Sequence, residues 1–442
     1  MSIRSKRSLG LNKNNSKYIL PSQKKWLYLQ YKTMEEDMKL GKHTLLIDGN
    51  YFIYSRLFVM PKPSSGKLLG DDKSKAQFMR KLCIDFASEV RKMQPFLDKI
   101  VLTIDSKSWR KDLFPEAEYK GTRTQDDTVC WEGVYEIYDE FKSVLAKKGV
   151  IVHQVNGAEA DDLLFAWSTY LNSMGKNCIV WTGDTDLIQI VDYSKATDGY
   201  TLWYYNSKKR LIAFEGFNKM MAMPTFDVTN DDDLLFNMAS KTALLEKVRA
   251  DLWDWLNKNK IEVEEVNCDH FIFKKILMGD KSDNIKSVVT FTKEVKGKAR
   301  VYSITDKQAS KILEQYIKEE EDFTIDHMFV ESQVEKIADI VYRVVGHDPK
   351  SQIKLRFNQN LDIMLLHTNT IPESIQKQMQ KSIDKDIIVE PELSKLTQME
   401  KILESSKWVA IKADVPKEFD PFAGLEDETK QAPLTKNLKE LF

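Results

Sequence analysis

The stretch "KIVLTID", residues 99–105, is a short apolar run that ends in a carboxylate, and its shape recurs along the chain. "TLLID" (44–48) closes on Asp48, "CIVWTGD" (178–184) closes on Asp184, and "GVIVHQV" (149–155) is followed a few residues later by Glu159. Apolar runs of this length, rich in Val and Ile, read as buried strands. Between them lie the helix-favouring stretches 76–93, 134–149 and 163–175. Strand, helix, strand at these lengths predicts an α/β fold with a mostly parallel sheet covered by helices on both faces. In such a sheet the carboxyl ends of the strands share one edge, where ligands bind.

That edge would gather acids. "NGAEADDLLFAW" (156–167) supplies Glu159, Asp161 and Asp162; "TGDTD" adds Asp186 to Asp184; "GDKSDN" (279–284) adds Asp280 and Asp283. Each acid taken alone reads equally as a helix cap. Separate caps, however, would not predict that Asp48, Asp105, Glu159, Asp161, Asp162, Asp184, Asp186, Asp280 and Asp283 converge. Crowded carboxylates raise one another's pKa. With no cation inside "EADD" or "TGDTD", a hard divalent ion is the simplest neutraliser, and oxygen donors favour Mg²⁺, Mn²⁺ or Ca²⁺ over Zn²⁺. Nine carboxylates suit two ions roughly 3.5–4 Å apart, clamping a phosphodiester. "DSKS" and "GDTD" lack the glutamate that closes an EF-hand, and "IDGNYFIYS" lacks the glycine pattern of a dinucleotide or P-loop site.

Cations flank these acids. "SKSWRKDLFPEAEYKGTR" (106–123) holds Arg110, Lys111, Lys120 and Arg123, placed to neutralise a phosphate or hold a passing strand. Trp109, Tyr119 and Trp131 are candidates for stacking on bases, while Trp131 and Tyr135 read equally as core of the next helix. Lys274, Lys275, Lys281 and Lys286 surround "GDKSDN", where lysines and backbone N–H groups suit duplex phosphates.

The 442 residues carry a net charge of −1, so any nucleic-acid binding must be local rather than global. Four cysteines without short spacings predict reduced thiols and a cytoplasmic protein that is not secreted. No apolar run approaches a membrane span. The expected organisation is a basic N-terminal arm (1–40), an α/β domain (41–214) whose hairpin turns near 206–209, a helical insertion (215–267), a helix-hairpin and helical C-terminal region (268–412) and a flexible tail (413–442).

"LLIDGN", "VLTID", "WRKD", "YKGTR", "WEGVYE", "EADD", "TGDTDLIQ" and "GDKSDNIKSV", in this order, resemble the 5′-nuclease family of flap endonucleases and 5′→3′ exonucleases, nearest to its T-even phage ribonuclease H branch. The resemblance implies a PIN-like domain with a helical arch in about 107–147 and a helix–three-turn–helix duplex-binding element. It implies that the nine carboxylates hold two Mg²⁺ ions, with Mn²⁺ able to substitute, and that Lys120 and Arg123 engage the scissile phosphate beside Asp184 and Asp186. The implied activity is hydrolysis at 5′ ends or flaps of RNA–DNA and DNA duplexes, removing RNA primers in replication. "NLKELF" resembles a clamp-binding peptide, with Leu438, Leu441 and Phe442 as anchors; a sliding clamp or single-strand binding protein is the implied partner of a monomer. The alternatives are a DNA-binding replication scaffold that has lost the chemistry and a PIN-type ribonuclease acting on single strands. Exonuclease versus flap preference, and RNA versus DNA preference, stay open.

Overall fold

The computed structural model describes residues 41–63, 65–113, 119–121, 124–222 and 232–410. The basic arm, Arg123 and the C-terminal tail with Leu438, Leu441 and Phe442 lie outside the described residues.

The apolar runs become strands β1 (His43–Asp48), β2 (Leu97–Thr103), β3 (Ile151–His153) and β4 (Asn177–Trp181), followed by β5 (Asp192–Tyr193), β6 (Tyr200–Tyr205), β7 (Arg210–Phe214) and β8 (Glu262–Val266). They form one eight-stranded sheet in the order β3-β2-β1-β4-β6-β7-β8, with β5 beside β6. Pairing is parallel from β3 to β6, antiparallel between β6 and β7, and parallel again between β7 and β8. Every residue of β1 and β4 is buried, as expected of parallel strands covered on both faces. The β6–β7 hairpin turns through Asn206–Lys208, with Lys209 at φ +50°.

Chain order places a switch point beside β1. The chain runs from β1 to β2 and β3 on one side, then crosses to β4 on the other. Register aligns Asp48 with Thr103, and Ile47 with Trp181, so the loops after β1, β2 and β4 emerge side by side. Gly49 is required there: a Cβ would lie 2.5 Å from the Thr103 carbonyl oxygen and 2.4 Å from the Tyr138 hydroxyl.

The stretch 215–267, read as helical, ends differently. The helix Asp232–Lys258 seats Leu252, Trp255 and Leu256 in the main core, but Glu262–Val266 pairs with β7 as a sheet edge. Its "EVEEV" is glutamate-rich, which locally favours helix, and sheet pairing overrides that preference. Residues 131–146, inside the expected arch, form a core helix burying Val134, Ile137, Phe141 and Leu145. Tyr135 is exposed on it and Trp131 packs against the core edge.

Residues 268–412, grouped as one region by sequence, divide between packing units. Helices Cys268–Met278, Asp306–Glu320, Glu331–Val345 and Lys350–Met364 enclose a second core around Phe273, Ile312, Tyr316, Ile340 and Phe357. The chain beyond it returns to the sheet domain. Ile375 and Met379 pack with Trp109 and Leu163, while Ile402, Leu403 and Trp408 join the main core. Among the described residues no helix is long and apolar enough to cross a membrane.

Candidate active site

Asp48 ends β1 and caps the helix Gly49–Leu57, accepting from the Tyr51 N–H at 3.0 Å and from Thr182 Oγ1 at 2.9 Å. Asp105 follows β2, accepting from the Ala160 N–H at 2.6 Å and from the Asn50 amide. Glu159 and Asp161 open the helix Ala160–Ser173. Asp184 caps the 3₁₀ turn Thr185–Ile190 and accepts from the Asp186 N–H at 2.8 Å. These are the acids of the switch-point edge.

The second core brings in the rest. Asp280 and Asp283 sit on the turn after the helix Cys268–Met278, and that turn is fixed by an antiparallel bridge between Asp280 and Ile285. Gly279, at φ +69°, leaves no room for a Cβ, which would lie 2.5 Å from the Ile285 carbonyl oxygen. The Lys120 N–H donates to the Asp283 carbonyl at 3.1 Å, linking the turn to the segment after β2. One cleft is lined by Glu159, Asp161, Asp184, Asp186 and Asp283 together with Arg110, Tyr119 and Gln189.

Burial and mutual repulsion set the charge state. Burial, reinforced by Asp105 and Asp184, pushes the Asp48 carboxyl up to about 7. Burial and the neighbouring Asp184 push Asp186 to about 7 against the pull of Lys275. Burial raises Asp161 well above the carboxylate range, with Asp184 adding to it, and burial also raises Asp105 and Asp184. Glu159 goes the other way. Burial alone would raise it, but Lys120 at 2.7 Å and Arg110 at 3.0 Å hold it down to about 2.

Five expected roles change: those of Lys275, Asp162, Arg110, Tyr119 and Trp109. Protein cations enter the cluster from outside the motifs: Lys120 reaches Glu159, and Lys275 lies between Asp186 at 2.6 Å and Asp280 at 2.8 Å. Lys120 is expected beside the acids; Lys275, on the helix before "GDKSDN", is expected to face a duplex. Lys275 instead faces the acids. Asp162 is fully buried and leaves the open cluster. Its oxygens take Arg110 at 2.8 and 3.0 Å, Trp109 Nε1 at 3.1 Å and the Glu159 N–H at 3.0 Å, so its charge is already matched by a buried guanidinium. Arg110 is only 2% exposed and also donates to the Ile363 carbonyl at 2.8 Å; its guanidinium ties the two packing units together rather than standing out from the surface. Tyr119 is likewise buried, with its ring in the second core and its hydroxyl donating to Glu159 at 3.2 Å. Trp109 is buried against Leu163 and Ile375.

Lys111, Lys281 and Lys286 are exposed, and Lys274 pairs with Asp306 at 3.0 Å. The sequence reading missed four supports. Asn50 orients Asp105, and Thr182 orients Asp48. Gln189 donates to the Met364 carbonyl and accepts from the Leu366 N–H, holding the C-terminal unit against the cleft. Asn360 donates to the carbonyls of Ile276 and Lys286, bracing the "GDKSDN" turn. Adjacency to an acidic motif was the available signal for Asn50, Thr182 and Gln189; nothing local marks Asn360.

Among the described residues no three Asp, Glu, His or Cys side chains stand arranged to hold a metal ion. The donor chemistry nevertheless fits a hard cation. Burial first, and then neighbouring acids, push the carboxyls of Asp48 and Asp186 up to about 7, and a hard cation bound by their oxygens would offset both causes.

The fold is a resolvase-like, PIN-type α/β domain with a helical C-terminal region. Residues 43–222 match the model of the 5′-3′ exonuclease N-terminal, resolvase-like domain. A 5′-3′ exonuclease of Buchnera aphidicola is 26% identical over 151 residues, covering 33% of this chain and 48% of the relative. DNA polymerase I of Rhizobium leguminosarum is 22% identical over 169 residues, covering 38% of this chain and 16% of that protein. The chain thus spans about half of the one relative's length and about a sixth of the other's. Among solved structures, a bacteriophage T5 flap endonuclease variant in complex with DNA and metal ions aligns over 78% of this chain and 99% of that one, at 14% identity and a TM-score of 0.46.

Proposed function

We propose that the protein is a divalent-metal-dependent 5′ nuclease that hydrolyses phosphodiesters at 5′ ends or flaps of DNA and RNA–DNA duplexes and removes RNA primers during replication. The observation that carries the reading is the convergence of Asp48, Asp105, Asp161, Asp184 and Asp186 at the strand ends, with Lys120 beside them. The match of residues 43–222 to the model of the 5′-3′ exonuclease N-terminal domain supports it.

Asp48, Asp105, Asp161 and Asp184, which repel one another, would supply the donors for one hard ion once it draws them together. Asp186, Asp280 and Asp283 would supply those for a second once Lys275 turns aside. Bound Mg²⁺ or Mn²⁺ would supply an acidified water and neutralise charge on the phosphodiester. Lys120, anchored through its N–H and its ammonium, offers positive charge to the developing oxyanion. Glu159 stays ionised throughout and holds Lys120 in place. Arg110 and Asp162 position Glu159 and the start of its helix. Exposed Lys111, Lys281 and Lys286 offer phosphate contacts near the cleft mouth. Arg123 is proposed to act with Lys120, and Leu438, Leu441 and Phe442 to engage a sliding clamp; deletion of 434–442 should then abolish binding to the cognate clamp.

The test is cleavage of a 5′-labelled flap duplex and of a nicked RNA–DNA hybrid, with Mg²⁺, with chelator, and by Asp184→Ala. Cutting near the 5′ junction that requires both Mg²⁺ and Asp184 supports the reading. A folded protein that binds the junction without cutting it supports the inactive scaffold instead.

A further inference from the structure

The segment between the "GDKSDN" turn and the helix Asp306–Glu320 forms a second, two-stranded sheet, β9 (Thr290–Val295) and β10 (Lys298–Ser303). Its register pairs Phe291 with Tyr302, Lys293 with Arg300 and Val295 with Lys298. Cross-strand partners share a face, and faces alternate along a strand. One face therefore carries Lys293, Lys298 and Arg300 beyond an aromatic base, and the turn adds Lys296. All four cations are exposed. At the base, Phe291 stacks on Tyr302 at 5.3 Å and on His347 at 3.8 Å, fixing the ribbon to the second packing unit.

Lys293 directly opposite Arg300 is an unfavourable choice for a bare ribbon, because like charges facing each other across two strands repel. Nothing within the described residues offsets this: Lys293, Lys296, Lys298 and Arg300 hold no carboxylate. Neighbouring cations of the same unit do, as in Lys274–Asp306, Arg343–Glu319, Lys350–Asp339 and Arg356–Asp348. The chain as a whole is close to neutral, so this face is a local concentration of positive charge. It lies directly after exposed Lys281 and Lys286, on the turn that carries Asp280 and Asp283 to the cleft.

We propose that the β9–β10 hairpin is a duplex clamp, in which Lys293, Lys298 and Arg300, with Lys296 at the tip, grip the sugar–phosphate backbone of the substrate away from the carboxylates and without reading sequence. The inference rests on the nuclease reading for the nature of the polyanion. An extended ribbon bearing flexible cations on one face suits repeated phosphates, whereas it lacks the broad apolar area of a protein interface. The aromatic base keeps the ribbon rigid, so its charges are pre-placed.

The experiment compares the intact protein with the triple variant Lys293→Gln, Lys298→Gln, Arg300→Gln and with the charge-preserving pair Lys293→Arg, Arg300→Lys. Affinity for a blunt DNA duplex is measured across a salt series in chelator. The triple variant is expected to bind at least about tenfold more weakly at about 0.1 M salt, with a log–log salt slope shallower by about 0.9 for each phosphate it no longer neutralises. The charge-preserving pair should bind as the parent does. The free triple variant should melt no lower than the parent, because a repulsion has been removed. Unchanged affinity and slope in the triple variant would overturn the clamp, as would loss of binding to an acidic protein or an anionic vesicle but not to duplex. Cleavage with Mg²⁺ separates this inference from the nuclease reading. Cutting by the parent with hairpin-independent affinity sinks the clamp alone. Hairpin-dependent duplex binding without cutting leaves the clamp standing and sinks the nuclease.

Discussion

The Lys275 ammonium lies 2.6 Å from Asp186, bridging that strand-end carboxylate to Asp280 at 2.8 Å on the turn of the second packing unit. A protein cation thus holds the place between two acids that are candidates to share an ion. Lys275→Met should have opposite effects in chelator and in metal. Without metal, the two carboxylates face each other unshielded, and the protein should lose about 1–3 kcal/mol. With metal, a competing charge is gone; unit charges roughly 6 Å apart interact by about 1–3 kcal/mol at intermediate dielectric, so ion affinity should rise at least about tenfold. Mn²⁺ titration by electron paramagnetic resonance reads the affinity, and denaturant melts read the stability. A variant that binds Mn²⁺ no more tightly would mean that Lys275 and the ion do not compete.

The carboxyls of Asp48 and Asp186, pushed up to about 7, give the metal-free protein a distinctive pH dependence. A free aspartate titrates near about 4. Between about pH 4 and pH 7 the folded state therefore binds more protons at these groups than the unfolded state does, so their contribution to stability falls as pH rises through that window. Glu159, held at about 2, acts in the opposite sense, stabilising above its unfolded pKa and losing that effect as pH falls below it. In chelator the melting temperature should decline from about pH 5 to about pH 7.5, and Mg²⁺ should flatten the decline. Asp48→Asn should remove part of the slope; a slope identical to the parent's would contradict the assignment.

Asp161 and Asp162 are adjacent in sequence and should behave as different residues. Asp162 is fully buried in a two-point pair with Arg110, so Asp162→Ala leaves a buried guanidinium without its partner and should destabilise by about 3–5 kcal/mol. Asp161 sits among repelling acids, and Asp161→Asn should leave stability in chelator unchanged or raise it. Urea unfolding of the two variants side by side checks the contrast.

How much of this was legible follows from what local sequence can encode. Strands β1, β2 and β4 announce themselves because buried parallel strands are continuous apolar runs, and Asp48, Asp105 and Asp184 because they interrupt those runs. The partners of Arg110 were not legible. "WRKD" reads as an exposed basic stretch, and its burial depends on Asp162 and on the Ile363 carbonyl, 253 residues away. Tyr119 reads as a stacking residue for the same reason, since the second core that absorbs it is built from residues 272–365. Lys275 falls one turn before an acidic motif, and only the helix Cys268–Met278 aims it at Asp186. Local sequence marks which residue types are present; which charges neutralise which is decided by long-range packing.

Lys120 combines a fixed backbone with a cation aimed at the carboxylates. Its backbone adopts φ +56°, in the left-handed region, and is held there by the N–H bond to the Asp283 carbonyl. The ammonium is thereby fixed 2.7 Å from Glu159 and 3.9 Å from Asp283, facing the acids at the strand ends. A cation held this firmly contributes to stabilising charge that develops in the transition state more than to ground-state binding. Lys120→Met should therefore lower kcat by about 10²–10³, the usual cost of one such electrostatic donor, while duplex affinity changes little. Lys120→Arg keeps the charge but not the compact ammonium and should fall between the two. Single-turnover cleavage at saturating duplex separates these cases. An equal loss of affinity and rate in Lys120→Met would make the lysine a substrate anchor and would move the transition-state role to another cation.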